Sequence, residues 1–163
     1  MQKIKAIMKY SIIFCVIVVS LASGLILTSC IPKEFIETNL QESAEFYKDK
    51  YGIQRLHPIR EELKVHYYAD SVLLNIIYCL NTEQPIQSTL WANYYETEHA
   101  DTNDDFIKVV EEKENPNTQY LRYWHGSMMI IRPLLLIFNI KEIYLFNRRN
   151  ISWLSNSFIG TTV

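Results

Sequence analysis

The sequence predicts a mainly α-helical protein in three parts. An N-terminal membrane helix precedes a small α-rich extracytoplasmic domain, and a kinked apolar helix at a membrane interface follows. Three observations predict this fold class. Residues 10–30 carry no charge. Several later segments repeat apolar residues every three or four positions, as amphipathic helices do. A second apolar run surrounds the pair Arg132 and Pro133.

The first part, residues 1–30, is predicted to be a membrane anchor or signal segment. Its 21 uncharged residues form a helix of about 31 Å at 1.5 Å per residue, enough to cross a hydrocarbon core of about 30 Å. Lys3, Lys5 and Lys9 precede this stretch without any acid, which gives residues 1–30 a charge of +3. The positive-inside rule then predicts a cytoplasmic N-terminus and a body outside the cell membrane.

The charge of the remaining chain excludes one class of function. Residues 31–163 contain thirteen Lys or Arg against eighteen Asp or Glu. A chain that binds nucleic acid through phosphate neutralisation needs a basic stripe, which this body lacks. The long apolar first part makes membrane lipid and membrane proteins the expected partners. No cofactor or metal is expected, because the chain contains no Gly-rich phosphate loop and no Cys/His ligand pattern.

The end of the first apolar stretch has a second interpretation. Leu27-Thr28-Ser29-Cys30 resembles the lipobox of bacterial lipoproteins. In those proteins a peptidase removes the signal, and the cysteine that becomes the first residue is lipidated. A charged start, an apolar centre and small residues near the cut are typical of export signals. The sequence thus leaves two anchors open, an uncleaved helix or a lipid on Cys30.

The second part, residues 31–119, is predicted to begin with an amphipathic helix over residues 33–51. The alternation of Leu63, Val65 and Tyr67 then indicates a short strand. Asp70 and Ser71 are candidate N-caps for the helix that follows. That helix carries an apolar stripe at helical spacing. The stripe consists of Val72, Leu73, Ile76, Ile77 and Leu80.

The rest of this part is predicted to contain one more helix and an acidic loop. The helix runs from Pro85 to about residue 96, with Ile86, Leu90 and Tyr94 facing inward. Residues 96–118 are expected to form a solvated loop around a short element at 106–110. His99 lies among several acids there, but the order of a calcium loop is absent. Cys79, within an apolar run, is interpreted as a small buried hydrophobe.

The third part, residues 120–147, is predicted to be an aromatic and apolar helix at the membrane interface, kinked at the proline. A polar tail, residues 148–163, follows. Aromatic residues next to an arginine resemble the belt found at membrane surfaces. The predicted interface residues are Arg122, Tyr123, Trp124, His125, Arg132 and Pro133. The alternative is a core helix, in which Arg132 needs an acidic or carbonyl partner. No catalytic residue is predicted, since nothing in the sequence places a nucleophile or paired acid beside His125.

Two groups of residues carry a resemblance to a family. Arg122-Tyr123-Trp124-His125-Gly126 with Arg132-Pro133-Leu134-Leu135 resembles a segment of uncharacterised bacterial multi-span membrane proteins. Asn39-x-x-Glu-Ser43 and the run 69–75 agree with it, so that the resemblance covers roughly residues 7–147. In that family an N-terminal span, an extracytoplasmic domain and several further spans follow one another. This chain has no further long apolar run after Phe146, and the resemblance implies a truncated member.

Three functions are consistent with these patterns. The first is a non-enzymatic, membrane-tethered extracytoplasmic domain that packs on membrane or on membrane partners. The second is a surface lipoprotein that acts as a binding module. The third is a fragment of a multi-span envelope enzyme similar to a glycosyltransferase, in which Asp49 or Asp70 is the acid after the first span. The third rests on analogy of fold alone.

Overall fold

A computed structural model describes residues 2–49, 64–122 and 125–147 of the chain, and it is mainly helical. The predicted residues 53–63, Tyr123, Trp124 and the tail 148–163 lie outside the described residues. The α-helices are α1 (Gln2–Ser29), α2 (Glu37–Lys48), α3 (Lys64–Cys79), α4 (Pro85–Trp91), α5 (Thr102–Glu111), α6 (Met128–Leu134) and α7 (140–147). A short 3₁₀ turn, Lys33–Phe35, precedes α2. Two short strands are β1 (Asn93–Tyr94) and β2 (Thr118–Gln119).

Helix α1 is long and apolar enough to cross a membrane. Residues 3–23 are exposed along its whole circumference, whereas Leu25 and Ser29 near its end are buried. An apolar helix with no buried face over 21 residues is costly in water, where its side chains lose the free energy of burial. The helix is therefore suited to a lipid environment for most of its length and to protein contact at its last turn.

Helix α2 confirms the predicted amphipathic helix, although it begins at Glu37 after the 3₁₀ turn rather than at residue 33. Its buried face contains Leu40, Ser43, Ala44 and Tyr47, spaced by three, one and three residues as one helical face requires. This face packs against α5 and α7 through Tyr47. The Tyr47 ring lies 5.8 Å from that of Phe106 in α5, and its hydroxyl is 2.8 Å from the hydroxyl of Tyr144 in α7.

Helix α3 corrects the prediction of a strand at residues 63–67, because the helix already begins at Lys64. The alternation covers only five residues, whereas the helix covers 16. Extending a helix adds hydrogen bonds without a new nucleation cost, so these residues continue the helix instead of forming a short strand. The predicted apolar stripe is confirmed: Val72, Ile76, Ile77 and Leu80 are buried, and Leu73 packs at its edge.

Asp70 and Ser71 lie inside α3 and are not its N-caps. The Tyr144 hydroxyl donates to the Asp70 carboxylate at 2.6 Å, and Ser71 donates to the side chain of Asn103. Asp70 and Ser71 therefore connect α3 to helices later in the chain. The spacing of residues within α3 does not predict these contacts.

Helix α4 is shorter than predicted. It ends at Trp91 because Ala92 adopts a left-handed conformation with φ of 45°. Tyr94 then lies in β1, which pairs antiparallel with β2 through Asn93 opposite Gln119 and Tyr94 opposite Thr118. Tyr94 is buried as predicted, but Ile86 and Leu90 are largely exposed, which corrects their predicted inward position.

The acidic stretch 96–118 contains a ten-residue helix, α5, rather than a short element within a solvated loop. Asp101 caps it by accepting a hydrogen bond from the Asn103 N–H at 3.0 Å. Phe106, Val109 and Val110 on its inner face are buried and pack on α2 and α3. The acids occupy the outer face and the flanking loops, with Asp105 as a buried exception.

The kinked helix predicted over residues 120–147 is divided into two helices, α6 and α7, and the break between them lies beside Pro133. Helix α6 ends one residue later, and a turn at 135–137 leads to α7. Asn139 and Glu142 form a capping box at the start of α7, because each side chain accepts a hydrogen bond from the other's N–H at 3.1 Å. Leu135, Ile140 and Ile143 enter the same core as α2 and α3.

Candidate membrane-proximal site

The last turn of α1 is built into the domain. Leu25 is 6% exposed and Ser29 is fully buried. The hydroxyl groups of Ser29 and Thr89 form a hydrogen bond of 2.7 Å that joins α1 to α4. Helix α1 thus ends inside the domain and is not separated from it by a linker.

Gly24 allows α1 to approach α6 closely. A Cβ atom at this position would lie 2.2 Å from the terminal methyl carbon of Met129. Real side-chain contacts do not come so close, so that any residue other than glycine would force Met129 to move. This methyl is the end of a flexible side chain, and it fills the space beside Gly24 where α1 packs on α6.

Arg132 holds the ends of two helices. Its Nη1 donates to the carbonyl of Ile77 at 2.6 Å, and its Nη2 donates to the carbonyl of Ile31 at 2.7 Å. Ile77 lies in the last turn of α3, and Ile31 follows the end of α1. Carbonyl groups at helix C-termini lack partners within the helix and attract cations. Burial lowers the pKa of the guanidinium to about 10, which leaves it charged at neutral pH.

The sequence predicts Arg132 at a membrane interface, with a core helix as the alternative. The structure shows the alternative, because Arg132 lies in the core and its partners are carbonyl groups. Arg132 is 0% exposed. Pro133 follows it in the last turn of α6 and lies in the same helix. Arg132 is buried and Pro133 is half-buried, so the protein core accounts for the apolar run around Arg132.

A cavity of about 640 Å³ lies beside the end of α1. One wall consists of α1 residues between Val18 and Ile26. The opposite wall consists of Ile86, Thr89 and Leu90 from α4. The remaining wall consists of Tyr120, Leu121, Arg122, His125 and Met128. Most of these side chains are apolar.

Two of the predicted interface residues line this cavity. Arg122 is exposed, and His125 is half-buried. The ring of His125 lies 5.1 Å from that of Tyr120, and its Nε2 is 3.1 Å from the Tyr120 carbonyl oxygen. These contacts fix the position of the imidazole, while Arg122 adds a positive charge to a mainly apolar surface.

Cys30, the candidate lipidation site, lies directly after α1 and is exposed. Cleavage before Cys30 would remove Leu25 and Ser29, which are buried in the domain. Cys79 differs, because burial raises the pKa of its thiol to about 12. Its Sγ lies 3.6 Å from the Asn75 side-chain oxygen. Cys79 is half-buried rather than fully buried, and its raised pKa fits the unreactive thiol that its apolar surroundings predict.

The polar residues of the Asn39-x-x-Glu-Ser43 motif hold the turn between α6 and α7. Asn39 donates to the Leu135 carbonyl at 2.7 Å, and Glu42 accepts from the Asn139 amide at 2.8 Å. Ser43 accepts from the N–H of Ile140 at 2.9 Å. The motif thus satisfies backbone groups around the break after Pro133, which is a structural role.

The remaining charged groups do not form a metal site. Within residues 2–49, 64–122 and 125–147, no cluster of three or more His, Cys, Asp or Glu side chains has ligand geometry. His99 and Glu98, at 3.6 Å from each other, are both almost fully exposed. Burial raises the pKa of the Asp105 carboxyl, while a hydrogen bond from the Thr97 N–H at 3.1 Å lowers it in part.

Sequence reasoning missed Ile86, Thr89 and Leu90 as residues of this site. The sequence does contain one signal for them, Pro85, which starts a helix. It does not indicate which element contacts the apolar residues of that helix. Their neighbour is α1, whose sequence predicts a part separate from the domain.

Comparison of the chain with protein family models, with curated proteins and with solved structures finds no match. The resemblance to a family of multi-span membrane proteins therefore stays a prediction.

Proposed function

We propose that this protein is a membrane-anchored extracytoplasmic domain without enzymatic activity, seated directly on the outer face of the cell membrane. Helix α1 is its uncleaved span. One observation carries this proposal: α1 is exposed over residues 3–23 and uncharged from residue 10 onward, yet it is buried in the domain at Leu25 and Ser29.

The length of the free part of α1 supports direct seating. Between Lys9, the last charged residue of α1, and the buried Leu25, the side chains of residues 10–23 are exposed. These 14 residues extend about 21 Å at 1.5 Å per residue, which is about 9 Å less than a hydrocarbon core of 30 Å. The domain surface around α1 makes up the difference by entering the outer leaflet.

That surface is apolar, as this seating requires. We call Ile86, Leu90 and Leu121 the apolar rim; they line the cavity beside α1 and are 59%, 70% and 72% exposed. Fully burying a side chain of this size is worth about 1.5–3 kcal/mol. A rim immersed in lipid gains this free energy, whereas a rim held in water by a long tether does not.

The buried residues of α1 favour an uncleaved span over a lipid anchor on Cys30. A mature lipoprotein would begin at Cys30 and lose the Ser29–Thr89 hydrogen bond of 2.7 Å. It would also uncover the surface of Met129 that contacts Gly24. The domain is thus built around the segment that a signal peptidase would discard.

Depth measurements on the full-length chain in liposomes test the seating. A spin label at Leu90→Cys, with the native cysteines replaced by serine, is expected to be relaxed more by oxygen, which concentrates in lipid, than by a water-soluble nickel complex. The matched control is a label at Glu98→Cys, a 91% exposed position in the acidic part of the chain, where nickel is expected to dominate. Equal behaviour of the two labels contradicts an immersed rim. Release of the protein by alkaline carbonate contradicts the span itself.

Thiol labelling tests the anchor and its orientation. A membrane-impermeant maleimide added to intact spheroplasts is expected to modify Cys30, which is exposed, and to leave Cys79 unmodified, since a thiol with a pKa of about 12 forms little thiolate. Cys30→Ser is expected to abolish the signal. If the label appears only after permeabilisation, the domain is inside. If Cys30 incorporates palmitate and the chain loses the mass of residues 1–29, the lipoprotein alternative holds.

A further inference from the structure

The cavity beside α1 has the size of a ligand site but an unusual position. Its volume of about 640 Å³ lies within the range of roughly 300–1,000 Å³ that small-molecule sites occupy. One of its walls is the proposed membrane span. Whatever fills the cavity therefore reaches it from the lipid side of the domain or from the membrane surface.

The dimensions of the cavity match one leaflet of a bilayer. Its wall on α1 extends from Val18 to Ile26, about 12 Å along the axis at 1.5 Å per residue. Half of a hydrocarbon core is about 15 Å. The α1 wall therefore covers most of the depth of an outer-leaflet acyl chain.

The chemistry of the walls favours an acyl chain over a peptide. A peptide in an apolar site leaves backbone N–H and C=O groups without partners, which costs several kcal/mol per group in a lipid-like medium. An acyl chain has no such groups. Ile86, Leu90 and Leu121 offer only apolar contact, and the Thr89 hydroxyl is already bonded to Ser29 at 2.7 Å.

Arg122 provides charge complementarity for a phospholipid headgroup. It lines the cavity, is exposed, and makes no ion pair with any acid in the described part of the chain. Guanidinium groups bind phosphate oxygens through paired N–H donors. An arginine beside an acyl-sized cavity thus supplies the contact that an anionic phospholipid needs.

We propose that the cavity binds one acyl chain of an outer-leaflet phospholipid, with the lipid phosphate at Arg122. This proposal rests on the proposed function, since it requires that α1 spans the membrane. The bound lipid would fill the space between α1 and α4 and couple the domain to the leaflet that surrounds it.

Native mass spectrometry of the full-length chain, released from liposomes of mixed phosphatidylglycerol and phosphatidylcholine, tests the proposal. We expect the wild-type chain to retain one phospholipid and to enrich phosphatidylglycerol over its share in the liposome. Ala22→Trp fills the cavity from the α1 wall and is expected to abolish retention. Ser20→Trp is the matched control, because Ser20 is exposed, does not line the cavity, and lies about 160° around the helix from Ala22 at 3.6 residues per turn.

A second variant separates the headgroup from the acyl chain. Arg122→Gln is expected to retain a lipid but to lose the preference for phosphatidylglycerol. Carbonate extraction of every variant is expected to leave the protein in the membrane, so that a failure of lipid binding is distinguished from a failure of the span.

Three results overturn the proposal. The first is that wild-type protein carries no lipid while it remains membrane-embedded. The second is that Ala22→Trp and Ser20→Trp retain lipid equally. The third is a dimer that Ala22→Trp dissociates, which assigns the cavity to a second copy of the chain.

Discussion

Replacing Arg132 with alanine is expected to lower the free energy of unfolding by about 3–5 kcal/mol, the largest effect of any single substitution considered for this protein. The guanidinium is fully buried and donates to two carbonyl groups, those of Ile77 and Ile31. Alanine leaves both carbonyls without a partner, at about 1–3 kcal/mol each, and leaves a cavity in place of a large side chain.

The measurement is equilibrium unfolding by urea of the full-length chain in detergent micelles, followed by circular dichroism. Arg122→Ala is the matched control, because Arg122 is an exposed arginine of the same segment. It is expected to leave the midpoint nearly unchanged. Arg132→Lys is expected to fall between the two, since an ammonium group on a flexible stem does not reproduce the fork of the guanidinium.

The opposite result would assign Arg132 to the membrane. If Arg132→Ala unfolds like wild type but binds membranes more weakly, its side chain acts at the interface and not between α1 and α3. The midpoint of unfolding therefore changes if Arg132 lies in the core, and membrane binding changes if it lies at the interface.

Replacing Asn75 with alanine is the substitution with the second largest expected effect, about 2–4 kcal/mol of stability. Asn75 is 1% exposed. Its amide donates to the Tyr95 carbonyl at 2.8 Å and its carbonyl accepts from the Tyr95 N–H at 3.0 Å. The side chain thus pairs with the backbone after β1 as a neighbouring strand would, and its loss leaves two polar groups unpaired beside the core.

Asn117 is the matched control for Asn75, because it pairs with the backbone of the residue that follows Tyr95. Asn117 pairs with Glu96 in the same way, with both hydrogen bonds at 2.9 Å, but it is exposed. After Asn117→Ala, water replaces both bonds, so we expect a loss below about 1 kcal/mol. The same unfolding experiment compares the two variants. Equal losses would contradict this prediction, because they would show that burial does not determine the free-energy cost of losing these hydrogen bonds.

The sequence was sufficient to predict the elements that carry long apolar patterns. The exposed helix α1, the amphipathic helix α2 and the stripe on α3 follow from the sequence pattern alone, since each pattern covers more than two turns. The strand at residues 63–67 was wrong because its alternation covers only five residues. Helix α5 was underestimated because its acids occupy the outer face and mask the buried Phe106, Val109 and Val110.

The candidate site depends on contacts that one sequence does not contain. Arg132 is 55 residues from Ile77 and 101 residues from Ile31. Its local context, an apolar run that follows aromatic residues, is also typical of a membrane surface. Ile86 and Leu90 were assigned to the core because helical spacing predicts a buried face but not which element covers it. Arg132 contacts Ile31, just after the end of α1, and Ile86 and Leu90 lie beside the end of α1. The sequence alone shows neither contact.

The hydrogen bond between Ser29 and Thr89, together with the two bonds of Arg132, has a consequence for how the domain moves. A domain on a flexible tether tumbles freely and reaches partners at many heights above the bilayer. A domain joined to its span without a hinge turns only as fast as the span turns in viscous lipid, and it stays at one height. If α1 is the membrane span proposed above, a partner meets one fixed face of this protein at one fixed distance from the membrane.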